Sequence, residues 1–186
     1  MNLSRPFVLL DRDGTLNVEK NYLSDPDELA LFPGTARALK RLRALGYGLV
    51  VVTNQSGVGR GYFTAAAVDR VHDRLRELLA ADGASVDAIY ICPHAPDQAC
   101  GCRKPLPGLA RQAIAEFGFD PERSVVIGDK AADIGLGRAI GAATILVRTG
   151  WGADHERDRT CSPDAVVDDL AAAVDWMEGH LEGARQ

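Results

Sequence analysis

The sequence predicts an α/β fold: a Rossmann-like three-layer sandwich in which a mostly parallel sheet lies between two layers of helices. Short apolar runs alternate with stretches whose apolar residues recur at helical spacing, the pattern of parallel strands joined by crossover helices. The first run, Phe7 to Leu10, is continuously apolar, as expected of a strand covered on both faces. With 186 residues the chain is long enough for one substantial core. We therefore expect one domain, residues 1–186.

The first half of the chain predicts three strands and two helices. Pro33 suits a first helical turn and Gly46 follows the last apolar position, so 33–45 is predicted to be a helix. The second strand, 47–52, ends in the polar cluster 53–57 and a glycine-rich loop. Thr64 is placed to cap a helix over 65–81, and 87–92 is the third strand.

The second half continues the alternation. A helix over 107–117, a strand over 124–127, a helix over 131–140 that Gly141 ends, and a strand over 143–147 follow in turn. Residues 149–163 are polar and irregular, 165–167 predict a short edge strand, and 170–181 a final helix. If the strand order reverses beside strand 1, right-handed crossovers place helices on both faces and strand 1 at the centre.

Composition narrows the range of partners. Hydrophobic residues make up 46% and charged residues 25%, which is ordinary for a soluble globular protein. The net charge of −5 gives no electrostatic reason to expect nucleic acid. No apolar run approaches the ~20 residues of a membrane helix, and no signal-peptide pattern opens the sequence. We expect a cytoplasmic protein with no nucleic-acid or membrane partner, and a monomer.

Polar residues follow three predicted strands where each ends. Asp11 and Asp13 follow the first strand, Thr53 the second and Asp129 the fourth. Ligands of open α/β sheets bind at the carboxyl ends of the strands, so these residues are expected at one edge. Two neighbouring carboxylates repel each other unless a cation or a shared proton stabilises them. The alternative is an acidic turn that caps a helix, with Thr53 ending a strand and Asp129 in a common turn.

The chemistry that this edge suggests is phosphoryl transfer. Asp11 and Asp13, with Asp129, are suited to hold Mg²⁺ while leaving positions for water and phosphate. Asp11 would attack phosphorus as a nucleophile, and Asp13 would act as acid and base. Thr53 would donate a hydrogen bond and Lys104 would neutralise charge, although Lys104 taken by itself could equally be a solvated lysine.

Asp133, one helical turn beyond Asp129, has two possible roles. It could cap the N-terminus of its helix, or it could hydrogen-bond Lys104 and support the site. The sequence leaves both open.

A cluster of cysteines and a histidine is the second strong signal. Its members fall within eleven positions: Cys92, His94, Cys100 and Cys102. Three cysteines and one histidine form a closed tetrahedral set typical of structural Zn²⁺, whereas a catalytic zinc keeps an open position. The alternative is coincidence in a loop. The same loop carries Arg103 and Lys104, so zinc would position these cations; Cys161 lies outside the set.

These motifs, in order, resemble the haloacid dehalogenase superfamily of phosphotransferases. They are Asp11-Arg12-Asp13-Gly14-Thr15, Thr53 at the end of strand 2, Lys104 before a helix, and Gly128-Asp129 with Asp133. The resemblance implies a Rossmann-like sheet and Mg²⁺-dependent transfer through an aspartyl-phosphate. It also implies that the backbone carbonyl of Asp13 contributes to the metal site. The segments between the predicted elements are too short for a cap domain.

Within the superfamily the combined pattern closely resembles the heptose-bisphosphate phosphatases and, nearly as well, the histidinol-phosphate phosphatases. The first family implies loss of the C7 phosphate of a heptose 1,7-bisphosphate, with a product used to build nucleotide-activated heptose for the bacterial surface. The resemblance also implies that two segments line the substrate. Their residues are Glu19, Lys20, Asn21, Tyr22, Thr53, Asn54, Gln55 and Ser56.

The two candidate substrates differ in a second phosphate, which the heptose bisphosphate carries and histidinol phosphate lacks. Arg103 is suited to bind it in a bidentate manner, and Lys130 and Arg60 are further candidate cations, although Arg60 could be a solvated loop residue. We favour the heptose substrate because of Arg103. Histidinol phosphate carries an amine, which would favour acidic residues such as those at 25–28. A non-catalytic zinc-containing module, or transfer to an acceptor other than water, also stays open.

Overall fold

The structure is a computed structural model that describes residues 5–157 and 161–183. The strands of this part form one parallel sheet in the order β3-β2-β1-β4-β5-β6. The strands are β1 (Phe7–Leu10), β2 (Gly48–Asn54), β3 (Ala88–Cys92), β4 (Val125–Gly128), β5 (Ala143–Val147) and β6 (Ala165–Val167). The helices are α1 (Thr35–Ala44), α2 (Ser56–Gly59), α3 (Ala65–Ala81), α4 (Gly108–Phe117), α5 (Ala131–Ile140), α6 (Gly152–His155) and α7 (Leu170–Gly183).

Two apolar cores lie on opposite faces of the sheet. Side chains alternate along β1, so Val8 and Leu10 enter one core while Phe7 and Leu9 enter the other. The first core is closed by α1, α3 and α7, and the second by α4 and α5. The predicted three-layer fold with strand 1 inside the sheet is therefore confirmed, and the connections of the described part hold no cap domain.

Several element boundaries differ from the prediction. The helix predicted from Pro33 begins at Thr35, because Gly34 adopts a left-handed conformation (φ 84°) in front of it. Strand β2 extends to Asn54, which puts Thr53 inside the strand and not beyond it. The short helices α2 and α6 lie in segments predicted as loops, where the sequence is too short for a helical period to show.

The strand order determines where the site lies. Strand β1 is flanked by β2 on one side and β4 on the other, and the chain moves outward in opposite directions from it. This reversal opens a crevice at the carboxyl ends of β1, β2 and β4. Within the described residues, no helix is both long and apolar enough to span a bilayer.

Candidate active site

Lys104 is the centre of the charge network in the crevice. Its side chain is buried, and Nζ lies 2.7 Å from Asp11 Oδ1, 2.6 Å from Asp133 Oδ1 and 2.6 Å from the carbonyl oxygen of Val52. Burial lowers the pKa of Lys104, but the charges of the two carboxylates outweigh it and the pKa is raised overall. The ammonium group therefore stays charged beside Asp11.

Asn54 fixes the backbone that delivers this lysine. Its Oδ1 accepts a hydrogen bond from the Lys104 N–H at 3.0 Å, and its Nδ2 donates to the Lys104 carbonyl at 3.2 Å. The side chain at the end of β2 thus clamps a loop fifty residues away in sequence. Asn54, which is expected to contact substrate, therefore also holds the backbone of Lys104 in place.

Asp133 takes both of the roles that the sequence left open. Its Oδ1 pairs with Lys104, while its Oδ2 accepts a hydrogen bond from the backbone N–H of Lys130 at 3.1 Å, in front of α5. The second contact satisfies a donor at the start of the helix, as in a capping box. One carboxylate therefore links the helix start to the buried lysine.

Asp129 has the properties of a cation ligand. It is buried at the end of β4, its Oδ2 accepts a hydrogen bond from the Trp151 N–H at 2.9 Å, and its buried Oδ1 accepts none from the described residues. Burial, with repulsion from Asp11, raises the pKa of Asp129 to about 8. A divalent cation would stabilise both carboxylates as anions. Carboxylate oxygens of Asp11, Asp129 and Asp133 lie within 4.8 Å of one another.

Two glycines bring the backbone close to Asp129. Gly14 (φ 85°) and Gly150 (φ 58°) both adopt left-handed conformations, and a Cβ at either position would overlap the Asp129 carboxylate. The glycine of the first motif is therefore required by the space that this carboxylate occupies. These residues fit a small, oxygen-coordinated ion such as Mg²⁺.

Asp13 is held by donors on three sides. Its carboxylate accepts hydrogen bonds from Arg12, from Asn17 Nδ2 at 3.0 Å and from Gln55 Nε2 at 3.0 Å. Burial raises the pKa of Asp13, but the Arg12 charge and these hydrogen bonds together lower it below its usual value. Gln55 Nε2 also lies 2.8 Å from Thr53 Oγ1, so the ends of β1 and β2 are linked through side chains.

Most of these groups line a cleft of about 270 Å³ at the crevice, whereas Asp129 is fully buried and does not line it. Most of the residues predicted to act on or bind substrate lie along it. They are Asp11, Asp13, Glu19, Asn21, Tyr22, Thr53, Asn54, Gln55, Ser56, Arg103, Lys104 and Lys130. Lys20 and Arg60 are exposed and do not line the cleft in the structure. The acidic residues at 25–28 do not line it either.

The loop after β1 forms one wall of the cleft in a strained conformation. Asn21 (φ 50°) and Tyr22 (φ 71°) both have left-handed backbones, which are uncommon for residues other than glycine. Glu19 accepts a hydrogen bond from the Asn21 N–H at 2.9 Å, and its other oxygen pairs with Lys130 Nζ at 3.0 Å. Tyr22 packs edge-on against Tyr62, with ring centroids 4.9 Å apart. The loop is therefore held by Lys130 at Glu19 and by Tyr62 at Tyr22.

The predicted metal cluster assembles at the end of β3. Cys92 Sγ lies 3.2 Å from Cys102 Sγ and 3.8 Å from Cys100 Sγ, and His94 Nδ1 lies 3.2 Å from Cys102 Sγ. A tetrahedron with metal–ligand bonds of about 2.0–2.3 Å has edges of about 3.3–3.8 Å, so the four atoms fit one Zn²⁺. Burial raises the pKa of the Cys92 thiol to about 12, and a metal would favour its thiolate.

The same loop places Arg103. Its Nη1 donates to the carbonyl oxygen of His94 at 3.4 Å, and Arg103 lines the cleft with Lys104. The loop contacts its surroundings through backbone hydrogen bonds, from Gly59 N to Pro93 O (2.8 Å) and from Gly108 N to Gly101 O (3.0 Å). The cysteine cluster is therefore built into the segment that carries both cations.

Sequence patterns do not reveal every residue at the site. Trp151 lines the cleft, is about half exposed, and bonds Asp129 through its backbone. Arg12 and His72 lie behind Asp13 and contact each other. Trp151 lies in a segment predicted as irregular, where no helical or strand periodicity of apolar residues indicates a role for it. Arg12 and His72 are sixty residues apart, a separation that local pattern does not bridge.

Fold and site together define a hydrolase of the haloacid dehalogenase class. A family model described as HAD-hydrolase-like matches residues 101–173. The D-glycero-D-manno-heptose-1,7-bisphosphate 7-phosphatase of Thermosynechococcus vestitus is 41% identical, over 96% of this chain and 98% of that protein. The corresponding β-anomer phosphatase of Pseudomonas aeruginosa is 39% identical, over 92% and 97%. The chain belongs to the family of D-glycero-D-manno-heptose-1,7-bisphosphate 7-phosphatases.

Solved structures agree with this assignment. The D,D-heptose 1,7-bisphosphate phosphatase from Bordetella bronchiseptica, in complex with magnesium and phosphate, matches with a TM-score of 0.88 and 36% identity. The match covers 94% of this chain and 99% of that one. The phosphatase of the same name from Burkholderia thailandensis matches with a TM-score of 0.73 and 33% identity, over 93% and 99%.

Proposed function

We propose that this protein removes the C7 phosphate of D-glycero-D-manno-heptose 1,7-bisphosphate by hydrolysis and leaves heptose 1-phosphate. The observation that carries the proposal is the buried Lys104–Asp11 pair beside Asp129, in a cleft that also holds Arg103 and Lys130. The pair is suited to attack on a phosphoryl group, and the two further cations are suited to a second phosphate. The names of the relatives supply the sugar.

In the first half-reaction Asp11 acts as the nucleophile. A carboxylate oxygen of Asp11 forms a bond to phosphorus while the bond from phosphorus to the sugar O7 breaks. Asp13, which takes up a proton when the anionic substrate binds beside it, gives that proton to O7 as it leaves, so the product is a neutral hydroxyl and the enzyme holds an aspartyl-phosphate. Lys104 stays beside Asp11 and offsets the negative charge that gathers there.

In the second half-reaction a water molecule attacks the aspartyl-phosphate. Asp13 takes a proton from the water, the acyl-phosphate bond breaks, and inorganic phosphate leaves with Asp11 restored as a carboxylate. Thr53, next to the last residue of β2, accepts a hydrogen bond from Gln55 Nε2 and would donate its own hydroxyl proton to the phosphoryl oxygens. Both aspartates therefore return to their starting states after one turnover.

Mg²⁺ is the cofactor we assign to the carboxylate site. Asp11, Asp129 and the backbone carbonyl of Asp13 would hold it, and it would supply positive charge that draws the phosphate and the nucleophile together. The buried Oδ1 of Asp129, which accepts no hydrogen bond from the described residues and lies 3.8 Å from Lys130 Nζ, supports this assignment. The Bordetella relative was crystallised with magnesium and phosphate.

The retained C1 phosphate is assigned to the outer part of the cleft. Arg103 offers a planar, bidentate donor, and Lys130 is held beside the cleft by Glu19. Asn21 and Tyr22 line the cleft and would face the sugar. Lys20 and Arg60 stay predictions as substrate contacts, because reaching the cleft would require their loops to move.

Structural zinc is assigned to the cluster of three cysteines and His94. The last residue of β3 and the loop that follows it supply all four protein ligands, which leaves zinc the role of folding that loop and fixing Arg103. A cluster of reduced thiols fits a cytoplasmic location. A monomer is proposed because large exposed apolar side chains of the described part are few, and Tyr22 and Trp151 among them line the cleft.

The proposal is tested by phosphate release with Mg²⁺ from heptose 1,7-bisphosphate and from histidinol phosphate, side by side. We expect a preference for the bisphosphate of at least about a hundredfold in kcat/KM, which is about 2.7 kcal/mol of discrimination. Asp11→Asn is expected to reduce turnover below about a thousandth of wild type without loss of the fold. A preference for histidinol phosphate would overturn the assignment of the heptose substrate. Residual activity of Asp11→Asn above that level would overturn the assignment of Asp11 as the nucleophile.

A further inference from the structure

His72 lies behind the first motif, on the buried side of α3. Its side chain is 4% exposed, and Nε2 lies 3.0 Å from Nη1 of Arg12. Arg12 is fully buried at 0% exposure. No motif or spacing in the sequence assigns a role to this histidine.

The chemistry of the contact defines the state of the imidazole. An arginine nitrogen can only donate, so Nε2 of His72 must carry the lone pair and the ring proton must sit on Nδ1. Burial, with the nearby Arg12 charge, lowers the pKa of His72 to about 3, so the ring is neutral at physiological pH. His72 is therefore a hydrogen-bond acceptor for the guanidinium.

The opposite edge of the same guanidinium holds Asp13. Arg12 Nη2 donates to Asp13 Oδ2 at 2.7 Å, and Nε lies 3.1 Å from both carboxylate oxygens. Arg12 is thus fixed between an imidazole on one side and a carboxylate on the other. Without the imidazole, a buried N–H of Arg12 would lose its acceptor, and the guanidinium would turn toward another one.

We propose that His72 is a positioning residue, which holds Arg12 so that Arg12 orients the Asp13 carboxylate for proton transfer. The inference rests on the proposed function, since it takes Asp13 as the acid for the leaving oxygen. Asn17 and Gln55 still donate to Asp13 when Arg12 shifts, so the carboxylate is turned and not released. Misplacement of a catalytic group by ~1 Å can cost about a hundredfold in rate.

The test compares substrates that need a proton with substrates that do not. An alkyl phosphate must protonate its leaving oxygen, whereas p-nitrophenyl phosphate leaves as a stable phenolate. The ratio of kcat/KM for the two substrates reports the first half-reaction and does not depend on the fraction of active enzyme. A loss of packing alone would lower both values together and leave the ratio unchanged.

Three variants of His72 divide the outcomes. His72→Leu has similar volume and no acceptor, His72→Asn has an amide that is too short to reach Arg12, and His72→Gln can place its amide oxygen near the position of Nε2. We expect His72→Leu and His72→Asn to lower the alkyl-to-aryl ratio about tenfold or more, and His72→Gln to restore most of it. If His72→Leu fails to fold, His72→Asn gives the same comparison.

Asp13→Asn supplies the reference for this ratio. A large fall in the ratio for Asp13→Asn, with none for His72→Leu or His72→Asn, would overturn the positioning role and leave the proposed function intact. No fall for Asp13→Asn would instead refute Asp13 as the leaving-group acid, and the inference about His72 with it. Equal ratios for the Leu and Gln variants would show that the hydrogen bond has no effect.

Discussion

Replacing Asp133 by Asn tests how the site holds its buried lysine. The side chain keeps its shape, but an amide cannot accept from Lys104 and from the Lys130 N–H at once, because one end is now a donor. The contact to Lys104 is a charge-assisted hydrogen bond of 2.6 Å, and such bonds contribute about 1.5–3 kcal/mol. If this loss falls on the transition state, kcat/KM drops about 10- to 150-fold.

The effect on stability is expected to be smaller than the effect on activity. Burial raises the pKa of Asp133, so keeping its carboxylate charged already costs free energy in the folded protein. Asn removes that cost together with the hydrogen bond. We therefore expect the free energy of unfolding to change by less than the activation free energy does.

The assay pairs steady-state phosphate release with urea unfolding of the same samples. Asp73→Asn is the matched control, because Asp73 is an exposed aspartate whose pair with Arg76 in α3 is solvated and so worth little. It should leave both measurements unchanged. If folded Asp133→Asn keeps kcat/KM within about twofold of wild type, Lys104 does not depend on Asp133, and the reasoning from the buried network is refuted.

Three further predictions concern the metal clusters and the scaffold. Removing zinc with a chelator, or replacing Cys102 in Cys102→Ser, should loosen the loop that carries Arg103 and lower activity. Circular dichroism should show that the sheet stays intact. Purified protein without tightly bound zinc would contradict this prediction. Gly14→Ala should raise the Mg²⁺ concentration needed for activity, because its Cβ overlaps the metal-site carboxylate. Gly34→Ala, which has a similar φ and open space, should lose only stability, of order 1 kcal/mol. Burial raises the pKa of Asp87, but the ion pair with Arg43 and a backbone hydrogen bond outweigh burial and lower the pKa overall. The free energy of folding that Asp87 contributes is therefore present above the usual pKa of 3.8 and is lost as the pH falls below that value. In urea unfolding, the stability of Asp87→Asn should converge with that of wild type in acid.

Much of the site can be predicted because the ends of the parallel strands can be recognised in the sequence. Asp11, Thr53 and Asp129 can be assigned to one site from the sequence alone, because the carboxyl ends of parallel strands share one edge and apolar runs locate those ends. The cysteine cluster can be predicted because its ligands are close in sequence and because three cysteines with one histidine form a set typical of structural zinc. In both cases the signal is local.

Other contacts depend on distances that no local pattern contains. The pairing of Arg12 with His72 joins the first motif to a helix sixty residues later, and His72 looks like any other residue on the buried face of α3. The double role of Asp133 follows from where the buried lysine arrives, which is set by Asn54. Arg60 was a candidate because of its charge, but charge does not determine which way a loop directs its side chain.

The most direct test of the central claim follows both phosphates of heptose 1,7-bisphosphate by ³¹P NMR as the enzyme acts with Mg²⁺. We predict that the C7 phosphate signal is replaced by inorganic phosphate while the C1 phosphate signal persists, and that Asp11→Asn leaves both sugar signals in place. Loss of the C1 phosphate first, loss of both at equal rates, or turnover that continues without Asp11 would contradict this mechanism.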